Sequence, residues 1–442
     1  MQRIQRESSL DLEAMEFYVR TAMLQGGARV VEQVLSEVGR GRRAQPLLCA
    51  NNHLVCRMES LGLREKTIQT ILGEVRFKRS AYRCPVCGAV RYPGDEALDV
   101  VGTGFSPGVR RMMAHAGSDM RGFRSAGKAL ELYAALHLDP KDIERVSEET
   151  GRIIEDWAAR ERSLAVAAPP PQETPDTVYI TYDATGAPIR REELREVKGK
   201  GEDGKAHTRE VKLGCVFTQT ATDEEGRAVR DENSTTYVGA IEPSMDFGYR
   251  IYAEAVRRGL LNARRVVILM DAIAYNKSIA TEHFPNATVI VDLYHAREYL
   301  AAFVRDVLRQ KLTGPFHQRL RGFLDAGEIE KLVAQMEKVL PRNGPRRAAG
   351  RKQIAYFRNN APYMRYARFR REGLFVGSGV IEAGCKTVIG ARCKQSGMFW
   401  SVPGAQRILA LRCIHASRRL EGFWKQRLNQ HAARNDTLPL AA

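Results

Sequence analysis

The sequence predicts a mixed α/β protein, and three observations predict it. Five short apolar runs, near 177–183, 210–220, 234–239, 266–270 and 287–291, read as three strands in a meander, then strands alternating with helical patterns. Helical periodicity dominates on either side, over about 10–40, 106–160 and the stretch from 301 to 375. Between the first two helical stretches lies a short β section that carries paired cysteines. The expected architecture is an RNase H-like mixed-sheet catalytic domain with a helical insertion. A mostly helical N-terminal region with a small zinc-ribbon-like β section precedes it.

Taken in order, the first helix shows Leu10, Met15, Val19, Met23, Val30 and Val34 on recurring faces, with Gly39 near its stop. Thr67 to Leu72, Gly73 and Val75 to Arg83 read as a hairpin that delivers Cys84-Pro-Val-Cys87 at its end. From Ser106 to about Arg160 the helical pattern is interrupted at Gly117, at Leu138-Asp-Pro and at Gly151. The stretch 125–136 followed by 138–146 resembles a helix-turn-helix, whose second helix would enter a major groove, although any helical hairpin reads alike. Ala165 to Pro175, with Pro169-Pro-Pro171, is the clearest linker. The expected domains are therefore 1–164 (DNA-binding), 165–175 (linker), 176–300 (first part of the catalytic core), 301–375 (insertion), 376–427 (last part of the core) and 428–442 (tail).

The chain has 442 residues, room for roughly two or three domains, and 44% of them are hydrophobic, as in globular rather than disordered proteins. Against 52 Asp+Glu stand 69 Lys+Arg; the net charge of +17 and a pI near 9.6 point to a polyanionic partner. No apolar run approaches the roughly 18 residues that span a bilayer. The start lacks the apolar core of a signal peptide, so an intracellular protein without a membrane partner is expected.

Three acids stand where strands or helices should end or begin. Asp183 closes Val178-Tyr-Ile-Thr-Tyr-Asp, Asp271 closes Val266-Val-Ile-Leu-Met-Asp, and Glu382 opens a helix after Val376-Gly-Ser-Gly. They lie 88 and 111 residues apart, so only the folded chain can bring them together. Hard divalent cations want carboxylate oxygens, and a pair of Mg²⁺ or Mn²⁺ ions on the order of 4 Å apart can grip both the attacking and leaving oxygens of a phosphodiester. Asp292 and His295, in Asp292-Leu-Tyr-His295 after the fifth strand, are accessory candidates, and Asp292 rivals Asp271 as a ligand. Ser378 is placed to cap the Glu382 helix and Lys386 to lie one turn beyond the glutamate, either as an i,i+4 ion pair or as a phosphate ligand.

Pro341 to Glu372 holds ten Lys/Arg and one acid, with Tyr356, Phe357, Tyr363, Tyr366 and Phe369 interleaved; Lys386 to Arg427 adds nine basic residues against Glu421 alone. Such mixing suits a phosphate track with aromatic faces, or else a solvated helix face with its own core. Arg351, Arg365, Arg368, Lys386, Arg392 and Lys394 are the candidate DNA contacts. Cys84-x-x-Cys87 is half of a tetrahedral Zn²⁺ site, with Cys49, His53 and Cys56 available for the other half. Cys215, Cys385, Cys393 and Cys413 read as small packed side chains.

With these residues in hand, the chain resembles a bacterial insertion-sequence DDE transposase, most similar to the ISKra-type family. The resemblance rests on Tyr182-Asp-Ala-Thr-Gly-Ala-Pro188, Leu269-Met-Asp-Ala272, Val291-Asp-Leu-Tyr-His-Ala296 and Gly377-Ser-Gly-Val-Ile-Glu-Ala-Gly-Cys-Lys386, which leads to Arg392 and Gly397-Met-Phe-Trp400. Tyr82-Arg-Cys-Pro-Val-Cys87 and Ser106-Pro-Gly-Val-Arg110 extend it to the N-terminal part. It implies an RNase H-like catalytic domain, an acidic triad matching Asp183, Asp271 and Glu382, and an Asp-x-x-His pair matching Asp292 and His295. Family members commonly show a cleaner first cysteine pair than this chain does. The expected activity is Mg²⁺- or Mn²⁺-dependent cleavage and strand transfer at terminal inverted repeats of double-stranded DNA. A homodimer or larger assembly on DNA, in a bacterial cytoplasm at the nucleoid, goes with it. Two other functions fit the same residues: an RNase H-like nuclease or resolvase that never joins strands, and an inactive DNA-binding regulator whose binding ignores divalent ions.

Overall fold

The computed structural model describes residues 11–38, 41, 46–49, 56–168, 175–195, 197 and 206–436, without the side chains of 38, 274, 275 and 432–436. His53 and most of the 165–175 linker lie outside the described residues. The chain divides into two compact units, one up to Glu148 together with the residues from Glu421 on, the other from Glu149 to Leu420.

In the first unit, α1 (Leu12–Val38) is followed by β1 (Glu59–Thr70), β2 (Gly73–Arg83) and β3 (Val90–Arg91), an antiparallel three-stranded sheet. The hairpin turns between Thr70 and Gly73, whose φ of 132° favours glycine. Ala28, Val31 and Leu35 of α1 pack on Ile68, Val75 and Phe77 of the hairpin. Next come α2 (Pro93–Ala97), α3 (Pro107–Asp119), α4 (Phe123–Ala134) and α5 (Pro140–Ala167), which from Glu149 on belongs to the second unit. Ser106 caps α3 through its side chain, and Ala135, in the left-handed region, makes the turn after α4. The expected helical pair is thus α4 and α5, packed through Leu130, Leu136, Ile143 and Val146.

The break expected at Gly151 is absent, and the one expected at Gly117 falls just after it, between Asp119 and Phe123. A Cβ on Gly117, inside α3, would lie 2.1 Å from Ser147 Oγ, and one on Gly151, inside α5, would lie 2.1 Å from the Arg407 carbonyl oxygen. Both glycines admit close neighbours, and the helix around Gly151 continues. For the same reason of continuity α5 runs on to Ala167, past the expected start of the linker.

In the second unit β4 (Thr177–Pro188), β5 (Thr208–Gln219), the small ribbon β6 (Ala221–Thr222) and β7 (Ala228–Val229), and β8 (Thr236–Ala240) precede α6 (Ser244–Arg257). Then follow β9 (Arg265–Met270), α7 (Ala274–His283) and β10 (Thr288–Val291). The main sheet has the order β10-β9-β4-β5-β8, with β4, β5 and β8 antiparallel and β4, β9 and β10 parallel, the RNase H-like arrangement. Strand alternation sends Val178, Ile180 and Tyr182 to one face, where α6 and α7 bury Phe247, Ile251, Ile279 and Phe284 against them. Thr181 and Asp183 therefore face the other way.

The helical insertion is present as α8 (Leu293–Ala302), a π-turn (Phe303–Val307), α9 (Pro315–Ala326), α10 (Ile329–Lys338), α11 (Pro345–Asn360) and α12 (Tyr366–Arg371). After it come α13 (Gly379–Gly384), a second π-turn (Cys385–Gly390), α14 (Ala391–Cys393), α15 (Val402–Ala416) and α16 (Leu420–Asp436). Most of α16 belongs to the first unit, where Arg427 bonds Asp99 at 3.0 Å and the Arg111–Glu421 pair closes at 2.6 Å. Among the described residues no helix is long and apolar enough to cross a membrane.

Candidate active site

Asp183 does not close its strand. β4 pairs with β9 only as far as Thr181↔Leu269, but its pairing with β5 continues to Pro188↔Thr208. Asp183 thus sits just beyond the last rung with β9, half-buried, where the sheet narrows to β4, β5 and β8. Its Oδ1 accepts from Ala184 N at 2.7 Å, and the Cys385 thiol points to its Oδ2 at 3.9 Å.

Asp271 immediately follows β9, and its Oδ1 is buried without a hydrogen-bond partner among the described residues. Asn276 fixes the backbone here, its amide donating to the Asp271 carbonyl at 3.1 Å. Burial pushes the Asp271 carboxyl above its ordinary range; nearby His295 pulls it back, and the charges of Asp183 and Asp292 push it up again.

Asp292 follows β10 and is fully buried. Both its oxygens receive backbone donors: Oδ1 takes His295 N at 2.7 Å as the cap of α8, and Oδ2 takes Ser378 N. The neighbouring bond from Leu293 N to the Val376 carbonyl, 2.9 Å, seats the segment that leads to Glu382. Asp292 is therefore a brace between two chain segments, whereas Asp271 keeps an uncommitted oxygen.

Two glycines of the Glu382 motif, Gly377 and Gly384, have steric reasons. A Cβ on Gly377 would come within 2.7 Å of the Tyr294 ring, and one on Gly384 within 2.7 Å of Tyr237. Ser378 does not cap α13 with its side chain; its backbone N–H donates to Asp292 instead. Ligand atoms of Asp292, His295 and Glu382 all lie within 4.8 Å of one another. Asp183 and Asp271 are outside that closest group but act on the same electrostatic neighbourhood: Asp183 and Glu382 both influence Cys385, and Asp183 and Asp292 both influence Asp271. Of the two readings of the Glu382–Lys386 spacing, the i,i+4 ion pair is not formed among the described residues. A π-turn begins at Cys385, and its wider winding takes Lys386 off the face of Glu382 to an exposed position.

The basic candidates divide. Arg392, expected on phosphate, is wholly buried: its guanidinium lies 4.9 Å from the Trp400 ring centre and donates to Met398 Sδ at 3.4 Å. The Gly397-Met-Phe-Trp400 motif is its cage. Arg365 is tied to Glu330 at 2.8 Å and to the Gly327 carbonyl at 3.0 Å, and Arg368 to Glu372 at 2.7 Å. Lys386, Lys394 and Arg351 are exposed, with Lys394 reaching Thr185. The aromatic track is largely core: Phe357, Tyr366 and Phe369 are buried, and the Tyr366 hydroxyl bonds the Val291 carbonyl at 3.0 Å. Sequence reasoning missed Cys385, Asn276 and Tyr299 at this site, and it took Tyr356 for a stacking platform. The spacing of Cys385 three residues after Glu382 was the one available signal.

In the first unit, the hairpin end brings four thiols together. Cys56 Sγ lies 3.2 Å from Cys84 Sγ and Cys49 Sγ lies 3.5 Å from Cys87 Sγ, while ligand atoms of Cys49, Cys84 and Cys87 all fall within 4.8 Å. Backbone N–H donors led by that of Cys87, opposed by burial, bring the Cys84 thiol down to about 6, and sharing with Cys84 pushes the Cys56 thiol up. Four sulfur donors suit Zn²⁺, and carboxylates with one imidazole suit Mg²⁺ or Mn²⁺.

An RNase H-like sheet with an acidic cluster on the face opposite α6 and α7 defines the class. No protein-family model matches the chain, and no curated protein does. Among solved structures, the Drosophila P element transposase strand transfer complex is similar with a TM-score of 0.25 and 10% identity, over 71% of this chain and 80% of that chain. That likeness is too slight to bear on function.

Proposed function

We propose that the chain is a DNA transposase of the DDE class, of the ISKra-type kind its motifs resemble, which cleaves and joins DNA at the terminal inverted repeats of an insertion sequence. One observation carries this reading. Ligand atoms of Asp292, His295 and Glu382 lie within 4.8 Å of one another, and Asp271, whose carboxyl feels the charges of Asp292 and His295, has a buried oxygen with no hydrogen-bond partner among the described residues. An unsatisfied buried carboxylate oxygen fits a cation better than a packing role.

Asp183, Asp271 and Glu382 would hold Mg²⁺ or Mn²⁺ with His295 beside them, and the ions would supply charge stabilisation for in-line displacement at phosphorus. The protein's own contribution is placement. Asp292 fixes both α8 and the approach to Glu382, so His295 and Glu382 keep a common position. Exposed Lys386, Lys394 and Arg351, within a chain of net charge +17, are available to backbone phosphates. Water attacks the phosphodiester at each end, and the freed 3′-hydroxyl then attacks target DNA. In the first unit Cys49, Cys56, Cys84 and Cys87 would hold a structural Zn²⁺.

The test is cleavage and joining of a plasmid that carries the insertion sequence with its native flanks. Asp183→Asn and Asp271→Asn should each lower cleavage by about 10³-fold or more while duplex binding stays within about twofold. Undiminished cleavage by Asp183→Asn would sink the proposal, and cleaved products that are never joined would assign a hydrolytic nuclease instead.

A further inference from the structure

A cavity of about 20 Å³ in the second unit is walled by three arginines: Arg162 of α5, Arg250 of α6 and Arg419 just after α15. Val238 of β8 with Ala410 and Ile414 of α15 line its apolar side. On α5, Glu155, Ala158 and Arg162 stand at i, i+3 and i+7, so one helix face carries all three to the cavity.

Arg162 differs from its neighbours. It is nine-tenths buried, lines the cavity, and makes no hydrogen bond or ion pair among the described residues. The acids nearby are already engaged. Arg250 grips Glu242 with bonds of 2.7 and 2.6 Å, Arg257 grips Glu254 at 2.9 and 2.5 Å, and the Gln406 amide donates to Glu155 at 2.8 Å. Arg419, its guanidinium 4.8 Å from the Trp157 ring centre, stands 3.8 Å from Glu161 and 3.9 Å from Glu254.

A positive charge is thus left over where water is scarce. Burial, and then the like charges of Arg250 and Arg419 against the pull of Glu254 and Glu242, bring the Arg162 guanidinium down to about 10. It is still a cation at neutral pH. Burying an unpaired cation is costly, so the missing partner is an anion from outside the chain. The room limits its size, since one water needs roughly 10–15 Å³ of such space and a nucleotide far more. The flat fork of guanidinium donors matches the paired oxygens of a phosphate better than a spherical halide.

We propose that Arg162, Arg250 and Arg419 bind one phosphate group in this cavity, carried in as free phosphate or as the terminal phosphate of a DNA end, and that it ties α5 to α6 and α15. The site shares no residue with the acid cluster and stands without the transposase reading.

Full-length protein freed of phosphate and sulfate is melted in two arms: with about 10 mM phosphate against chloride of equal ionic strength, and with a short duplex that bears or lacks 5′-phosphates. In one arm the phosphate should raise the midpoint by about 5 °C over its control, and the arm that responds names the source. Arg162→Met should abolish that rise. A phosphate effect absent from both arms overturns the proposal, and so does one that Arg162→Met retains. Should Arg162→Met fail to fold, Arg162→Lys keeps the charge and loses the fork; calorimetry with the responding probe should then show binding about tenfold weaker, and an unchanged affinity overturns the proposal.

Discussion

The cysteine cluster and the acid cluster gather their side chains by opposite means. Four sulfurs come from one short stretch, Cys49 to Cys87, and lie against each other at 3.2 and 3.5 Å at the end of a hairpin. The acids come from Asp183 to Glu382, from the middle of one strand, the ends of two others and a helix, and among them Asp292 alone has both oxygens taken up by the backbone. A closed set of soft donors is suited to holding a fold, whereas an open set with an unpaired oxygen is suited to holding a substrate. The difference lies in which site the surrounding chain completes.

Breaking the closed site should have the largest effect on stability. Cys84→Ser should lose about one equivalent of bound zinc by metal analysis and lower the melting midpoint of the first unit by on the order of 10 °C, with Mn²⁺ binding at the acids unchanged. An unaltered melt would end the contrast. A smaller loss is expected of Gly377→Ala, whose Cβ meets the Tyr294 ring at 2.7 Å. Overpacking of that kind costs about 1–3 kcal/mol, and Mn²⁺ titration should show weaker binding as the approach to Glu382 shifts. Smallest and opposite in sign is Asp271→Asn in metal-free protein. Removal of a buried, unpaired charge should raise the midpoint by on the order of 2 °C. Mn²⁺ should then raise the wild-type midpoint and leave that of the variant where it is.

Much of this was legible in the chain because apolar runs announce central strands. Val266 to Met270 and the run before Val291 end where the strands end, so Asp271 and Asp292 were placed correctly. Asp183 was legible as a candidate but not as a mid-strand residue. Ala184 to Pro188 have no apolar alternation, and they stay extended only because β5 pairs with them. The fate of Arg392 was hidden for a similar reason: its burial depends on Trp400, which a bridge to Ile189 brings in from β4's far end. Cys56 was legible as a candidate through the spacing His53-x-x-Cys56, but not as the neighbour of Cys84, which lies beyond the whole hairpin in the chain.

The 2.9 Å bond from Leu293 to Val376 brings the departure and return of the helical excursion side by side. Such an arrangement makes the excursion a cassette: its length and contents can change over evolutionary time while the rungs of the sheet stay in step. The helices hung between these two neighbouring residues can thus be lengthened or shortened without disturbing the pairing of the main sheet.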